Sequence, residues 1–367
     1  MTTASPPGSG PAADDPTAPA RVSAAGFILA GTYPEDDPAG GLEAVLELIE
    51  IGEQLGYDVA GIRQRHLERG VSAALPFLGA VSQRTSRITL ETDVVPLGVE
   101  NPFRLAEDFA TVSALSGYRL NIGISTSTPH AELLSPWGRP DIDPTTDPYT
   151  LIRRFLGALG GAELSSEPVS TPYGPQIPRI QPHVPGLTER VWIGGGSVRS
   201  VRWAAEHGLH LLLGNIGDGT IAETFEEAQR LHIDLYRETH RTPGTARVGV
   251  ERVIIPTDSA TAAQRAHYED YVSSRTERTL APRQLGPRTV VIQRDLHGTS
   301  EEIVERLLGD PTFDGSTELR LALPYGFSAP EYRQILTDTR EHILPALGWS
   351  PGPSDVHPSP TAQERPL

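Results

Sequence analysis

An α/β fold of the (β/α)8 TIM barrel type is what the sequence predicts, on three observations. Eight short apolar runs follow one another with amphipathic, helix-length stretches between them, the pattern of parallel strands buried on both faces and joined by helical crossovers. Eight such units in a chain of 367 residues is the count of a closed barrel. The rival is an open doubly wound sheet, which carries a G-x-G-x-x-G turn. The glycine cluster after a strand here, Gly194 to Gly196 in VWIGGGSVRS, lacks the last glycine of that pattern.

The elements follow in order. AAGFILA (24–30) reads as the first strand. The helix GGLEAVLELIEIGEQLG comes next, with Leu42, Val45, Leu46, Ile49 and Leu55 roughly on one stripe. YDVAGIRQRH is the second strand, SAALPFLGAVSQRT a helix, and RITLETDVVPLG the third strand. NPFRLAEDFATVSALS is helical and YRLNIGIST extended; DPYTLIRRFLGALG is a helix, and VWIGGGSVRSVRWAAEHG a strand running straight into one. LHLLLGNI, the helix TIAETFEEAQRLHIDLYRETHR, VGVERVIIPT, a long helical region and ELRLALPYG complete the series. Three connections exceed what a barrel needs. Those at 128–147 and 259–289 follow strands and are expected to rise over the carboxyl-end face, where barrels carry chemistry. The third, 163–189, precedes a strand and starts on the opposite face; its prolines suggest a stiff wrapping segment. Residues 1–20 and 351–367 are Pro/Ser/Asp-rich and are expected to be disordered tails flanking a single domain over 21–350.

Composition removes several functions. A net charge of −16 disfavours nucleic acid and anionic membrane as partners. With no cysteine there is no disulfide, thiolate metal site or thiol nucleophile. All 31 Lys+Arg residues are arginine, so neither a Schiff-base lysine nor a P-loop lysine is available. The first residues lack a signal-peptide pattern and no apolar run approaches the ~18 residues of a membrane span, so a soluble cytoplasmic protein is expected.

Candidate site residues come from strand ends. At the Gly194–Ser200 junction the amides of Gly195, Gly196 and Ser197 can face a bound anion at a helix amino terminus, with the Ser197 and Ser200 hydroxyls and the Arg199 charge beside them. The plainer alternative is that Ser197 is only an N-cap and the glycines only a tight turn. His66 closes the second strand, as a reaction-centre histidine or as a rim residue. Arg63 and Arg65 need counter-charges if they turn inward, and Asp93, Glu91 and Glu132 are candidates. Asp93 is anomalous in an apolar strand and is expected near a ligand or an arginine. Ser125 to Thr128 lack a G-x-S-x-G elbow and read as a polar strand end lining a pocket. No metal-binding constellation stands out.

Three segments together resemble the bacterial luciferase-like monooxygenase family. They are EQLGYDVAGIRQRH (53–66), TSRITLETDVVPLGVENPFRLAEDFATVSALSGYRLNIGIS (85–125) and VWIGGGSVRSVRWAAEHGLHLLLG (191–214), with looser likeness in LHGTSEEIVERL and ILPALGW. The resemblance covers nearly all of 22–349. It implies the same barrel, with reduced FMN or a deazaflavin as cofactor, O2 as co-substrate for the FMN members, and a separate flavin reductase as partner. It also implies that His66 serves activity near the flavin and that Asp93-Val94 sits behind the ring, where a non-prolyl cis peptide is frequent. Ser125 stands where the luciferase branch has a reactive cysteine, and Ser197 and Ser200 match phosphate ligands. Two departures stand out. Tyr118 replaces the glycine of the S-x-G-R pattern, and Thr126 replaces an arginine phosphate ligand, leaving Arg199 or Arg202 to supply the cation. The reading is therefore a two-component FMN monooxygenase acting on a small molecule, with a natural product such as a polyketide in view. A deazaflavin-dependent hydride-transfer enzyme and a catalytically silent flavin-binding protein are the alternatives, and a homodimer is left open.

Overall fold

The computed structural model describes residues 20–134 and 147–351. Eight parallel strands form a closed ring: β1 (Ala24–Leu29), β2 (Val59–Ile62), β3 (Thr89–Thr92), β4 (Leu120–Ser125), β5 (Val191–Gly195), β6 (His210–Leu213), β7 (Val248–Arg252) and β8 (Thr317–Ala322). Each pairs with its sequence neighbours, β8 returns to β1 with Ala24 opposite Glu318, and β3 pairs with β4 through Leu90 and Leu120. The predicted barrel is the observed fold. The two expected tails lie outside the described residues, apart from Ala20 and Pro351, and so does most of the 128–147 connection.

Most of the helices begin at a capping side chain. α1 (Pro38–Leu55) starts with the Asp37 carboxylate accepting from the Gly40 amide and ends at Gly56 in the left-handed region. α2 (Ala74–Ser82) and α3 (Pro102–Leu115) follow β2 and β3; the Asn101 side chain caps α3 ahead of its N1 proline. α4 (Pro148–Leu159), α5 (Val198–Glu206) and α6 (Phe225–Thr239) continue the ring. Their apolar stripes cover the outward face of the strands. Phe27 on β1 lies so close to α1 that a Cβ at Gly52 would meet its ring at 2.2 Å, so only glycine fits there.

The inside of the barrel departs from the usual layers of branched aliphatic residues. Arg320 on β8 is fully buried and bonds Glu91 on β3 (2.8 and 3.1 Å) and Glu318 below it on β8 (2.9 Å). Asn121 on β4 donates to Glu91 at 2.9 Å, and Arg247 donates to Glu318 at 2.6 Å. An ion network thus fills the centre where packing alone usually does.

The long connections differ in kind. The 163–189 stretch carries a small hairpin of Val169–Thr171 and Gly174–Gln176. The 259–289 stretch opens with α7 (Ala262–Thr276) and then forms a hairpin the sequence patterns did not reveal, Arg283–Leu285 with Arg288–Ile292. Its second strand pairs with Ile216–Asp218, just beyond β6, which anchors the hairpin over the carboxyl-terminal end of the barrel. At the S-x-G-R departure, Tyr118 has φ +67°, the left-handed region in which the glycine of that pattern is unstrained. Among the described residues no helix is long and apolar enough to cross a membrane.

Candidate active site

The strands deliver a floor at the carboxyl-terminal mouth. Past the end of β3, the Asp93–Val94 peptide is cis, at the position where the resemblance implies such a bond. The Thr92 hydroxyl donates to the Gly123 carbonyl (2.8 Å) and accepts from its amide (2.9 Å), tying β3 to β4 below this point. Half-buried Val94 rests over Gly123 and Gly194, where added Cβ atoms would approach its methyls to 3.1 and 3.2 Å. Glycines on these adjacent strands leave room for the valine as a small platform, and at Gly123 a Cβ would also strike the Thr92 carbonyl at 1.9 Å.

Asp93 lies at the edge of that platform, 6% exposed, and its Oδ2 has no hydrogen-bond partner. Arg63, at the end of β2, bonds Glu251 on β7, while Glu91 belongs to Arg320. The ion-pair partner of Arg63 is thus Glu251, outside the expected candidates, while Asp93 acts on it without a hydrogen bond. Burial opposes the Arg63 charge, yet Glu251, then Tyr325 and Asp93, hold its pKa above the ordinary value. Burial, and after it the Glu251 charge, push the Asp93 carboxyl well above the usual carboxylate range, against the pull of Arg63. The unfolded chain releases this proton near pH 4 and the folded chain keeps it, so Asp93 contributes stability at low pH that is lost as pH rises. Asp93→Asn, close in shape to the protonated acid, is expected to match the wild-type melting temperature near pH 3–4 and exceed it at pH 7. Equal melting temperatures at both pH values would show that Asp93 is not held protonated.

His66, beyond the end of β2, is half-buried and accepts at Nε2 from the Gln64 amide at 3.0 Å. Gln64 also donates to Glu100 at 2.8 Å. Arg65 bonds the Tyr325 hydroxyl and approaches Glu68 at 3.9 Å. Among the described residues Glu132 takes neither arginine.

The junction of β5 and α5 is a cradle that caps itself. Ser197 is the N-cap, its hydroxyl accepting from the Ser200 amide at 3.2 Å. The Gly196 and Ser197 amides both donate to the Ser200 Oγ, each at 3.1 Å, so that hydroxyl stands where a bound anion would receive the same two bonds. Gly195 is the last residue of β5; a Cβ there would meet Leu211 at 2.7 Å, so its smallness serves packing and not the anion side. Arg199 turns away, donating to Asp147 at 2.9 Å and stacking over Tyr149, and Arg202 is exposed on α5. A different arginine reaches the junction: Arg288 on the hairpin donates from Nη2 to the Gly196 carbonyl at 2.5 Å. Among the described residues no carboxylate lies within ion-pair distance of Arg288. Two hydroxyls, two amides and a guanidinium at a helix amino terminus, with Asp218 as its more distant counter-charge, fit a phosphate monoester. Ser125, paired with Ser127 at 2.8 Å, and half-buried Thr126 end β4 on the same face. A separate cavity of about 700 Å3, bordered by Asp58, Arg87, Arg247 and Glu318, opens at the opposite end of the barrel and contains none of these groups.

A family model described as luciferase-like monooxygenase matches residues 24–312. The chain is 31% identical over 106 residues to the 4-hydroxyprotoasukamycin monooxygenase of Streptomyces nodosus subsp. asukaensis, covering 28% of this chain and 29% of that protein. It spans only 54% and 59% of the length of two uncharacterized bacterial proteins that it matches over longer stretches. Its fold is shared with the FMN complex of the oxygenating constituent of 3,6-diketocamphane monooxygenase from Pseudomonas putida (TM-score 0.65, 14% identity, 88% of this chain and 98% of that one). It is also shared with the coenzyme F420 dependent tetrahydromethanopterin reductase of Methanopyrus kandleri (TM-score 0.61, 13% identity, 89% and 99%).

Proposed function

This chain belongs to the luciferase-like monooxygenase family, and from that membership we propose that it is an FMN-dependent monooxygenase oxygenating a small organic substrate. Bound reduced FMN would supply the electrons that activate O2, one oxygen atom passing to the substrate and the other leaving as water. The protein's part is binding and placement. Gly196, Ser197, Ser200 and Arg288 hold the phosphate, the Ser200 hydroxyl giving up its two amide donors or sharing them. The Val94 platform, with Asp93 at its edge, carries the ring, and Ser125 and Thr126 border it. His66 meets the substrate at the mouth, and the hairpin of Arg283–Leu285 and Arg288–Ile292 narrows access for water. A separate reductase supplies reduced flavin; a cytoplasmic location and a homodimeric state belong to the same proposal. A natural-product substrate is supported by the local likeness to the Streptomyces enzyme.

The observation that carries this reading is the Arg288 guanidinium seated on Gly196 at the serine cradle. Anaerobic titration with reduced FMN, followed by quenching of the four tryptophans, is expected to saturate, and O2 uptake with a reductase is expected to depend on substrate. Saturation by a reduced deazaflavin alone, with substrate oxidised or reduced without O2, would replace it with the hydride-transfer reading that the shared fold of the F420-dependent reductase favours. His66→Ala is expected to lower turnover by about 10²-fold or more with flavin binding retained. Unchanged turnover would remove His66 from the reaction.

A further inference from the structure

We infer that Gln64 fixes the tautomer of His66, so that the imidazole keeps its proton on Nδ1 and meets its ligand as a hydrogen-bond donor. A glutamine side chain has one accepting end and one donating end, and its orientation follows from its neighbours. Gln64 is 9% exposed and hemmed in by two groups of known polarity. The Ala74 amide at the start of α2 donates to Oε1 (3.3 Å), and the Glu100 carboxylate accepts from Nε2 (2.8 Å). Turning the amide over would set oxygen against the Glu100 oxygen and N–H against N–H at Ala74, so one orientation survives.

That orientation aims the remaining Nε2–H of Gln64 at His66 Nε2, 3.0 Å away. A nitrogen that receives a hydrogen bond carries no proton, and the neutral ring then bears its proton on Nδ1. Nδ1 has no partner among the described residues. Gln64 is thus a positioning residue, held by Glu100 and by the first turn of α2, and its effect is to choose which ring nitrogen donates. For the proposed oxygenation, on which this consequence rests, the substrate class is one that presents an acceptor oxygen, such as a ketone or enone carbonyl, to His66. Substrates that must lose a proton to the ring are disfavoured, because the free nitrogen is occupied by Gln64.

The test uses the full-length, cofactor-free protein labelled with 15N at its eleven histidines. Long-range proton–nitrogen correlation spectra are recorded at about pH 8, above the ordinary histidine range, with His66 signals identified by their loss in His66→Asn. The wild type is expected to show the downfield, unprotonated nitrogen at Nε2. Gln64→Met, which keeps the length and removes the donor, is expected to move that signal to Nδ1, because free histidine side chains prefer the proton on Nε2. A wild-type ring protonated at Nε2, or at both nitrogens, overturns the inference, as does a Gln64→Met spectrum unchanged from wild type. Should Gln64→Met fail to fold, the wild-type spectrum decides alone. No flavin is present, so failure here and failure of the flavin titration are read separately.

Discussion

Arg320→Met is expected to destabilise the protein by about 3–5 kcal/mol, measured by urea or thermal unfolding beside the wild type. The guanidinium is enclosed by the barrel and touches Glu91 and Glu318, with Trp192 packed 5.7 Å from its charged carbon. Its neutralisation leaves Glu91 fully buried with only the Asn121 amide as a partner, whereas Glu318 retains Arg247. The loss is therefore mostly that of an uncompensated buried carboxylate and much less that of the pair itself, since a buried pair gains little over well-packed apolar groups. The double variant Glu91→Leu with Arg320→Met separates the two. It is expected to recover a large part of the loss, because no lone charge remains. A single-variant loss under about 1 kcal/mol, or a double variant worse than the single, would mean the network is wetter or weaker than its geometry implies. The change also reaches the site, because Arg320 helps draw down the proton affinity of Asp93; without it the Asp93 carboxyl is held protonated more firmly.

The barrel was legible because period and spacing suffice for it: the strand runs are mostly apolar and evenly spaced, and the amphipathic helices between them carry their own stripes. Strand ends were legible too, which placed His66, Asp93, Ser197 and Ser200 on one face, as a carboxyl-end rule for barrels requires. The partners of those residues were not. Arg63 meets Glu251 and Arg320 meets Glu91 across separations of 188 and 229 residues, and no local pattern encodes which inward charges oppose each other in a ring. Arg199 illustrates the opposite error. Its place in the first turn of α5 put it near the cradle in sequence, yet Asp147 and the Tyr149 ring hold it outward. Arg288 was hidden for a further reason. It lies in a connection whose pattern reads as a long helical region, and only the antiparallel pairing of its strand with Ile216–Asp218 brings it over Gly196, 92 residues away.

Arg288→Ala is expected to weaken binding of reduced FMN by about tenfold to a hundredfold, the range for losing a charge-assisted hydrogen bond to phosphate. Reduced riboflavin, which has the same ring and no phosphate, is expected to bind wild type and variant equally. Arg288 is exposed, so the effect is expected to shrink as salt is raised. Arg288→Lys should fall between the two, keeping charge but losing the planar fork that can hold the Gly196 carbonyl and a phosphate oxygen together. The fold should be indifferent, because the side chain reaches outward from a hairpin and bonds one carbonyl. Ser200→Ala gives an independent reading of the same cradle: it frees the Gly196 and Ser197 amides while deleting one hydroxyl donor, so its loss should be smaller than that of Arg288→Ala. Equal weakening of FMN and riboflavin would place Arg288 against the ring or in the hairpin's own stability. Unchanged FMN binding would leave the serine cradle without its cation, and the phosphate assignment would have to move to another strand end.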